Sequence, residues 1–300
     1  MASIQIQSVL YGNEKENLLR ALDALQQSVI NCRAANGTLT DFTVAYGDAS
    51  PEAIFTTEEE ADIRQKYQNE FSFVYRVFGF NSGSARGHNL LAEDCAADYM
   101  QIMNPDVVVC PDYFLHIMEP FSSSECGMVE ARQSPVEHPK DYDVKTGETC
   151  WATTACAVFP TTLFRKIGGF DNDTFFLYCD DVDFSWRIRL EGKKIIYQPT
   201  ACVYHAKRLN ASGSWKPTYA EVYYSAEAAL FMAYKWSADK RCKTLLKRFS
   251  KSGDPVLQKA ATEFESRKAA NRLPAQLDRE HRVALFTSEG NYAPHRFRLQ

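Results

Sequence analysis

Aspartates crowd into an otherwise aromatic and aliphatic stretch between residues 170 and 205: Asp171, Asp173, Asp180, Asp181 and Asp183 stand among Phe175, Phe176, Tyr178 and Phe184. The stretch closes on a histidine, His205. Carboxylates in such company are costly to desolvate unless they bind a cation or move a proton. A further acid, Asp106, follows the apolar run 100–103 and the dipeptide Asn104-Pro105. Two separated acid sites and a histidine fit a metal-assisted reaction on an anionic substrate. Each also has a plainer reading: Asn-Pro-Asp is a common turn, an aspartate at a helix start is a cap, and a lone histidine is more often structural.

Strands and helices must deliver these groups to one place. Residues 4–10 read as a strand, followed by a helix over 14–32 with Leu18, Leu22, Leu25 and Val29 at helical spacing. A second strand over 41–45 ends in the turn 47–51, and a third covers 71–78. The glycine-bearing loop 81–89 opens a helix expected to reach 97, and a fourth strand spans 99–103. Further on come a helix at 113–120, strands at 126–133 and 153–160, and a polar stretch, 134–149, expected as a mobile surface loop. A helical turn at 162–167 precedes a helix over 180–191 and two short strands at 194–198 and 201–204. Strand, loop and helix alternate, which predicts an α/β fold with a mostly parallel sheet flanked by helices. In such sheets ligands sit at the carboxyl ends of the strands. Beyond His205 the pattern becomes helical, with one long helix over 219–250 and another over 254–272. The division expected is therefore a catalytic domain, 1–206, and a basic helical extension, 207–300.

Four segments in this order, Asn81-Ser-Gly-Ser-Ala-Arg-Gly-His-Asn89, Met103-Asn-Pro-Asp106-Val-Val-Val109, the run 168–187 and Tyr197-Gln-Pro-Thr-Ala-Cys-Val-Tyr-His205, resemble family 2 glycosyltransferases with the GT-A nucleotide-sugar-binding fold. The likeness leans to the rhamnosyltransferase-like branch and covers about 4–205. It implies an inverting, metal-dependent transfer of a hexosyl or deoxyhexosyl group from a nucleotide-diphosphate sugar to a hydroxyl of a glycan or lipid-linked acceptor, such as a growing surface polysaccharide of a bacterial cell envelope. Asp106 and His205 would hold Mg²⁺ or Mn²⁺, a hard cation suited to diphosphate, with His205 neutral and its other ring nitrogen tethered. Asp181 would be the base that takes the acceptor proton, and Asp180 its neighbour as a cap or acceptor contact. Asp183 would meet acceptor or a basic side chain. Tyr11, Asn13 and Asp48 would recognise base and ribose, although the aspartate falls one place later than in relatives. Asn81, Gly83, Arg86, Gly87, Asn89 and Asn104 would serve the donor, with glycine permitting close approach and arginine suiting phosphate. Trp151 and Thr154 would face donor sugar or acceptor, unless their surroundings are a plain surface loop.

Composition narrows the choices. The chain of 300 residues is 45% hydrophobic, enough for a sizeable core. No apolar run approaches the roughly 20 residues that cross a bilayer. The first residues carry neither the basic flank nor the apolar run of a signal peptide. Nine cysteines without CxxC spacing fit a reduced cytosolic compartment. Residues 1–206 hold 16 Lys and Arg against 29 Asp and Glu, whereas 207–300 hold 18 against 9. The basic part either packs on the acidic part or makes a peripheral contact at the inner face of a membrane. Nucleic acid is excluded as partner because no reading module accompanies the basic residues. Nucleotidyl transfer would need a glycine-rich basic loop where Tyr11-Gly12-Asn13-Glu14 stands. The alternative from another class is a non-catalytic glycan-binding or scaffold module of a larger assembly.

Overall fold

Alternation places Ile4 and Ile6 of the first strand, β1 (Ala2–Leu10), on one face of a sheet, while Gln5 on the opposite face donates to the Leu91 carbonyl at 3.0 Å. The computed structural model describes residues 2–205, 217–288 and 290–297. After β1 come α1 (Lys15–Ala34), β2 (Leu39–Asp48), α2 (Thr57–Tyr67), β3 (Ser72–Val77), α3 (Gly83–Ala92), β4 (Tyr99–Met103), β5 (Val107–Val109) and α4 (Tyr113–Ile117). Then follow β6 (Cys126–Ser134), β7 (Glu148–Thr149), β8 (Cys156–Pro160), α5 (Thr161–Lys166), α6 (Asp180–Leu190) and β9 (Lys194–His205). The chain continues with α7 (Tyr219–Lys235), α8 (Asp239–Ser250) and α9 (Pro255–Ala269).

The sheet runs β3-β2-β1-β4-β8-β6-β9-β5, with β7 added against β9. It is parallel across β3-β2-β1-β4 and between β6 and β9, and antiparallel elsewhere. The sheet is thus mixed, its parallel block lying in the N-terminal part. Because Leu10 pairs with Asp48 and Gln7 with Ile102, the carboxyl ends of β1, β2 and β4 share one edge. Those ends lead to Tyr11, to Asp48 and to Asn104-Pro105-Asp106.

Helix α1 buries Leu18, Leu22, Leu25 and Val29 against one face of the sheet, in a core shared with Tyr113 and Phe114 of α4. The other face packs Ala85 of α3, Phe164 of α5 and Phe184 of α6 against Met100, Ile102 and Phe159. Each such aliphatic or aromatic side chain contributes about 1.5–3 kcal/mol on burial. A further core joins Val182 and Trp186 of α6 to Leu230, Phe231, Phe249 and Phe264 of the three last helices. The boundary near 206 therefore separates charge and chain pattern, while the core runs across it.

Four expectations change. The single helix over 219–250 is two, because the chain turns at Ser237, whose φ of 56° cannot continue a helix. Helix α3 stops at Ala92, short of 97. No helix was expected over 57–67, yet α2 forms there behind a Thr56–Glu59 capping box. The two short strands expected before His205 form one strand, interrupted in register between Gln198 and Cys202.

Candidate active site

The strand pairing that aligns Val107 with His205 brings Asp106 beside the imidazole. His205 Nε2 lies 3.4 Å from Asp106 Oδ1, and Nδ1 lies 2.7 Å from Gln133 Oε1. An amide oxygen accepts, so Nδ1 carries the proton and Nε2 is the ring nitrogen turned toward the carboxylate. The His205 side chain is 10% exposed and Asp106 40%, which places the pair at a mouth open to solvent. An imidazole lone pair and a carboxylate oxygen converging at that spacing fit a divalent cation whose remaining positions go to diphosphate or water oxygens. Among the described residues no group of three or more His, Cys, Asp or Glu forms a fuller cage. Gln133 is the tether expected for His205, and only the pairing of β6 with β9 identifies it.

Asp180 and Asp181 open α6. The two preceding residues, Tyr178 and Cys179, hold φ of 66° and 59°, a left-handed pair without glycine. Such backbone costs of order 1–3 kcal/mol per residue and is kept where geometry matters. Burial pushes both carboxyls above the ordinary range, and for Asp181 the neighbouring Asp180 charge adds to it. Asp180 is buried, meets the Ser84 side chain, and keeps Oδ2 without a partner among the described residues. Asp181 is half-buried and takes the Val182 amide at 2.8 Å. A carboxylate raised toward neutral is suited to collecting a hydroxyl proton.

The wall beside Asp181 contains an ion pair absent from the sequence reading. Lys140 and Glu130 are 5% and 2% exposed and in direct contact. Lys140 Nζ also donates to the Trp151 carbonyl at 2.9 Å and sits 4.2 Å from the Trp151 ring centre. Both charges reach Asp181. Glu130 and Gln133 lie three residues apart on β6, roughly 10 Å at strand rise. One strand therefore holds the His205 tether and the anchor of the cation facing Asp181.

Other expected residues are placed as follows. Tyr11 is 55% exposed at the end of β1, its amide bonded to Asn13 Oδ1 at 2.9 Å. The next amide, of Gly12, donates to Ser50 Oγ. Asn81 Oδ1 accepts from the Gly83 amide at 3.1 Å, and Arg86 is exposed with its guanidinium 4.4 Å from the Phe80 ring centre. Gly83 has φ of 65°, and a Cβ there would come 2.4 Å from the Phe176 carbonyl. Gly87 is occupied by packing, since a Cβ would meet Val9 at 2.6 Å. Asn104 caps the turn before β5, its carbonyl taking the Val107 amide.

Five expectations are corrected. Asp48 is fully buried and its oxygens accept from the Ser50 and Ile54 amides and the Tyr75 hydroxyl, so it orders the turn and burial closes it to ribose. Asn89 ties α3 to the 170–172 segment through Phe170 and Asn172 and is likewise taken. Asp183 is fully buried between Arg187, Lys235 and the Trp236 indole, which realises the basic-partner alternative and removes the acceptor one. Trp151 is 7% exposed beneath Lys140 and His138, so its face is closed to a sugar; Thr154 beside it is buried too. The stretch 134–149 is fastened, because Arg296 pairs with Glu137 and bonds the Pro139 and Lys140 carbonyls.

No protein-family model matches the chain, and no curated protein matches it in sequence. Solved structures match in fold. GalNAc-T7 with UDP, GalNAc and Mn²⁺ superposes with a TM-score of 0.63 at 12% identity over 91% of this chain. The chain spans 56% of that protein's length. The mannosyltransferase PcManGT from Pyrobaculum calidifontis, in complex with GDP-Man and Mn²⁺, gives 0.57 at 15% identity, covering 89% of this chain and 75% of its own. Residues 1–349 of S. aureus TarS give 0.51 at 11% identity, covering 93% and 77%. The fold is the GT-A fold of these glycosyltransferases.

Proposed function

We propose that this chain is a metal-dependent glycosyltransferase that moves a hexosyl or deoxyhexosyl group, with inversion, from a nucleotide-diphosphate sugar to a hydroxyl of a glycan or lipid-linked acceptor. The observation that carries the reading is the convergence of Asp106 and His205 at 3.4 Å on a tethered imidazole, at the sheet edge where this fold binds ligands. UDP, GalNAc and Mn²⁺ in one fold neighbour and GDP-Man with Mn²⁺ in another support it. Asp106 and His205 would hold the cation, which when bound offsets the charge of the departing diphosphate. Asp181 takes the proton of the acceptor hydroxyl as its oxygen attacks the anomeric carbon opposite the leaving group. Ser84 holds Asp180, and the charges of Asp180 and Lys140 set the field around that carboxylate. Tyr11 offers an aromatic face for the base, Asn13 braces the turn behind it, and Asn81, Gly83 and Arg86 line the donor loop. The likeness to the rhamnosyltransferase-like branch favours a deoxyhexose donor and a cell-surface glycan. No described helix is long and apolar enough to cross a membrane. The basic exposed face of α8 would serve a peripheral contact at the cytoplasmic leaflet.

A thermal-shift screen of UDP-, GDP- and dTDP-sugars with and without Mn²⁺ tests the reading. One donor should raise the melting temperature only with metal, and Asp106→Ala should remove that dependence. Absence of any nucleotide response would overturn it.

A further inference from the structure

Beside the strained turn that leads into Asp180, aromatic rings from two chain segments meet without closing into a core. Phe176, from the segment before α6, packs on Tyr224 of α7 with ring centres 4.8 Å apart and planes 31° from parallel. Tyr223 stands edge-on to Tyr224 at 5.0 Å. One turn earlier on the same helix face Tyr219 is 59% exposed. The inward positions of α7, Ala226, Leu230, Phe231 and Ala233, are buried, whereas Phe176, Tyr223 and Tyr224 remain only half-buried. Tyr219 and Tyr223 continue the stripe of Ala226 and Leu230, and Tyr224 that of Phe231, at the end of the helix where burial gives way to half-exposed rings.

The setting is polar at its rim. Lys259 Nζ of α9 lies 4.6 Å from the Tyr223 ring centre and 5.9 Å from that of Tyr219. Tyr223 donates to Glu227 Oε1 at 2.8 Å, and the Tyr178 hydroxyl meets Glu221. The cluster is tied to the catalytic turn, because the Phe176 carbonyl accepts the Ser84 amide at 3.1 Å and the Ser84 side chain meets Asp180.

We propose that the half-buried Phe176–Tyr224 pair, with the exposed Tyr219 further out on α7, forms a stacking subsite for pyranose rings of a glycan acceptor, leading it to Asp181. The inference rests on the glycosyltransferase reading above. A pyranose has an apolar C–H face and an equatorial belt of hydroxyls. Half-exposed ring faces match the first, and the exposed Lys259 ammonium with the half-buried Glu221 carboxylate matches the second. A bilayer would require contiguous apolar surface without an acid such as Glu221, which also repels a nucleic-acid backbone. The donor nucleotide belongs at the carboxyl ends of β1 and β2. Helix α7 thereby acquires a role in the site: the C-terminal region supplies the acceptor floor.

Binding of the full chain to an immobilised set of neutral hexose, N-acetylhexosamine and deoxyhexose oligosaccharides tests this, alongside nucleotide thermal shifts with Mn²⁺. The wild type should retain a subset of oligosaccharides. Tyr219→Ala/Tyr224→Ala should weaken that capture by about tenfold or more while leaving the nucleotide-induced shift in place, and Tyr224→Phe should retain capture. Because Tyr219 is exposed, Tyr219→Ala alone provides a folded variant, expected to weaken capture to a smaller degree. Capture of no oligosaccharide by the wild type, or undiminished capture by the double variant, would overturn the subsite. Ring-dependent capture without any nucleotide shift would leave the subsite standing and remove the transferase reading.

Discussion

Asp181 pays for its place at the start of α6 with a carboxyl that burial and Asp180 hold above the ordinary range. A raised carboxyl binds its proton more tightly in the folded chain than in the unfolded one. Its unfavourable effect on stability is therefore absent below about pH 4, grows as pH rises from there, and is complete above the folded value. Asp181→Asn should abolish transfer and retain donor binding. It should also melt higher than wild type at pH 8, with the difference shrinking toward pH 5; a constant difference across that range would contradict the environment described. Activity of the wild type should climb with pH above the usual carboxylate range, since the base works deprotonated. The buried Lys140–Glu130 pair gives a second test at this scale. Lys140→Met leaves an unpaired buried carboxyl and should cost about 3–5 kcal/mol, whereas Lys140→Met/Glu130→Leu should recover most of that stability without restoring transfer. Urea unfolding separates the two effects.

At the scale of elements, the turn before α6 and the loop before α3 lock together. The Phe176 carbonyl takes the Ser84 amide, and Gly83 leaves room for it. Gly83→Ala adds a methyl 2.4 Å from that carbonyl at a positive φ, so the two segments must part. The expected result is a melting temperature lowered by several degrees and a loss of turnover larger than the loss of donor affinity, read by steady-state kinetics and nucleotide titration. Retained kcat would show that this contact is not needed for catalysis. The same scale explains Gln133: its assignment depends on β6 and β9 lying side by side, although seventy or so positions separate the partners in the chain.

Across the whole molecule, charge and packing are arranged on opposite faces of the last helices. Helix α8 buries Cys242, Leu245 and Phe249 and exposes Lys240, Lys243, Lys247 and Arg248. Because its apolar stripe is used internally, any membrane contact of this helix is electrostatic and superficial. With about 1 kcal/mol per basic residue near an anionic surface, Lys243→Glu/Lys247→Glu should weaken binding to phosphatidylserine-containing vesicles by tenfold or more. Wild-type binding should also fall steeply with salt, as measured by co-sedimentation. Equal binding to neutral vesicles would exclude the proposed contact. The tail from 290 to 297 closes the other side, with Arg296 holding the segment that carries Lys140.

Residue order alone determined the alternation of strands and helices, the placing of Asp106 at a strand end and Asp180-Asp181 at a helix start, and the helical character of the C-terminal region. Those features depend on periodicity, caps and turn residues within a short span. Only the tertiary structure decided which acids are free: Asp48 and Asp183 look as capable as Asp106 and Asp181 in the sequence, yet backbone amides and buried cations consume them. It likewise closed the Trp151 face and left Tyr219 exposed. Whether a side chain faces solvent, a partner or a core depends on neighbours brought from distant segments, and spacing along one chain does not encode that distance.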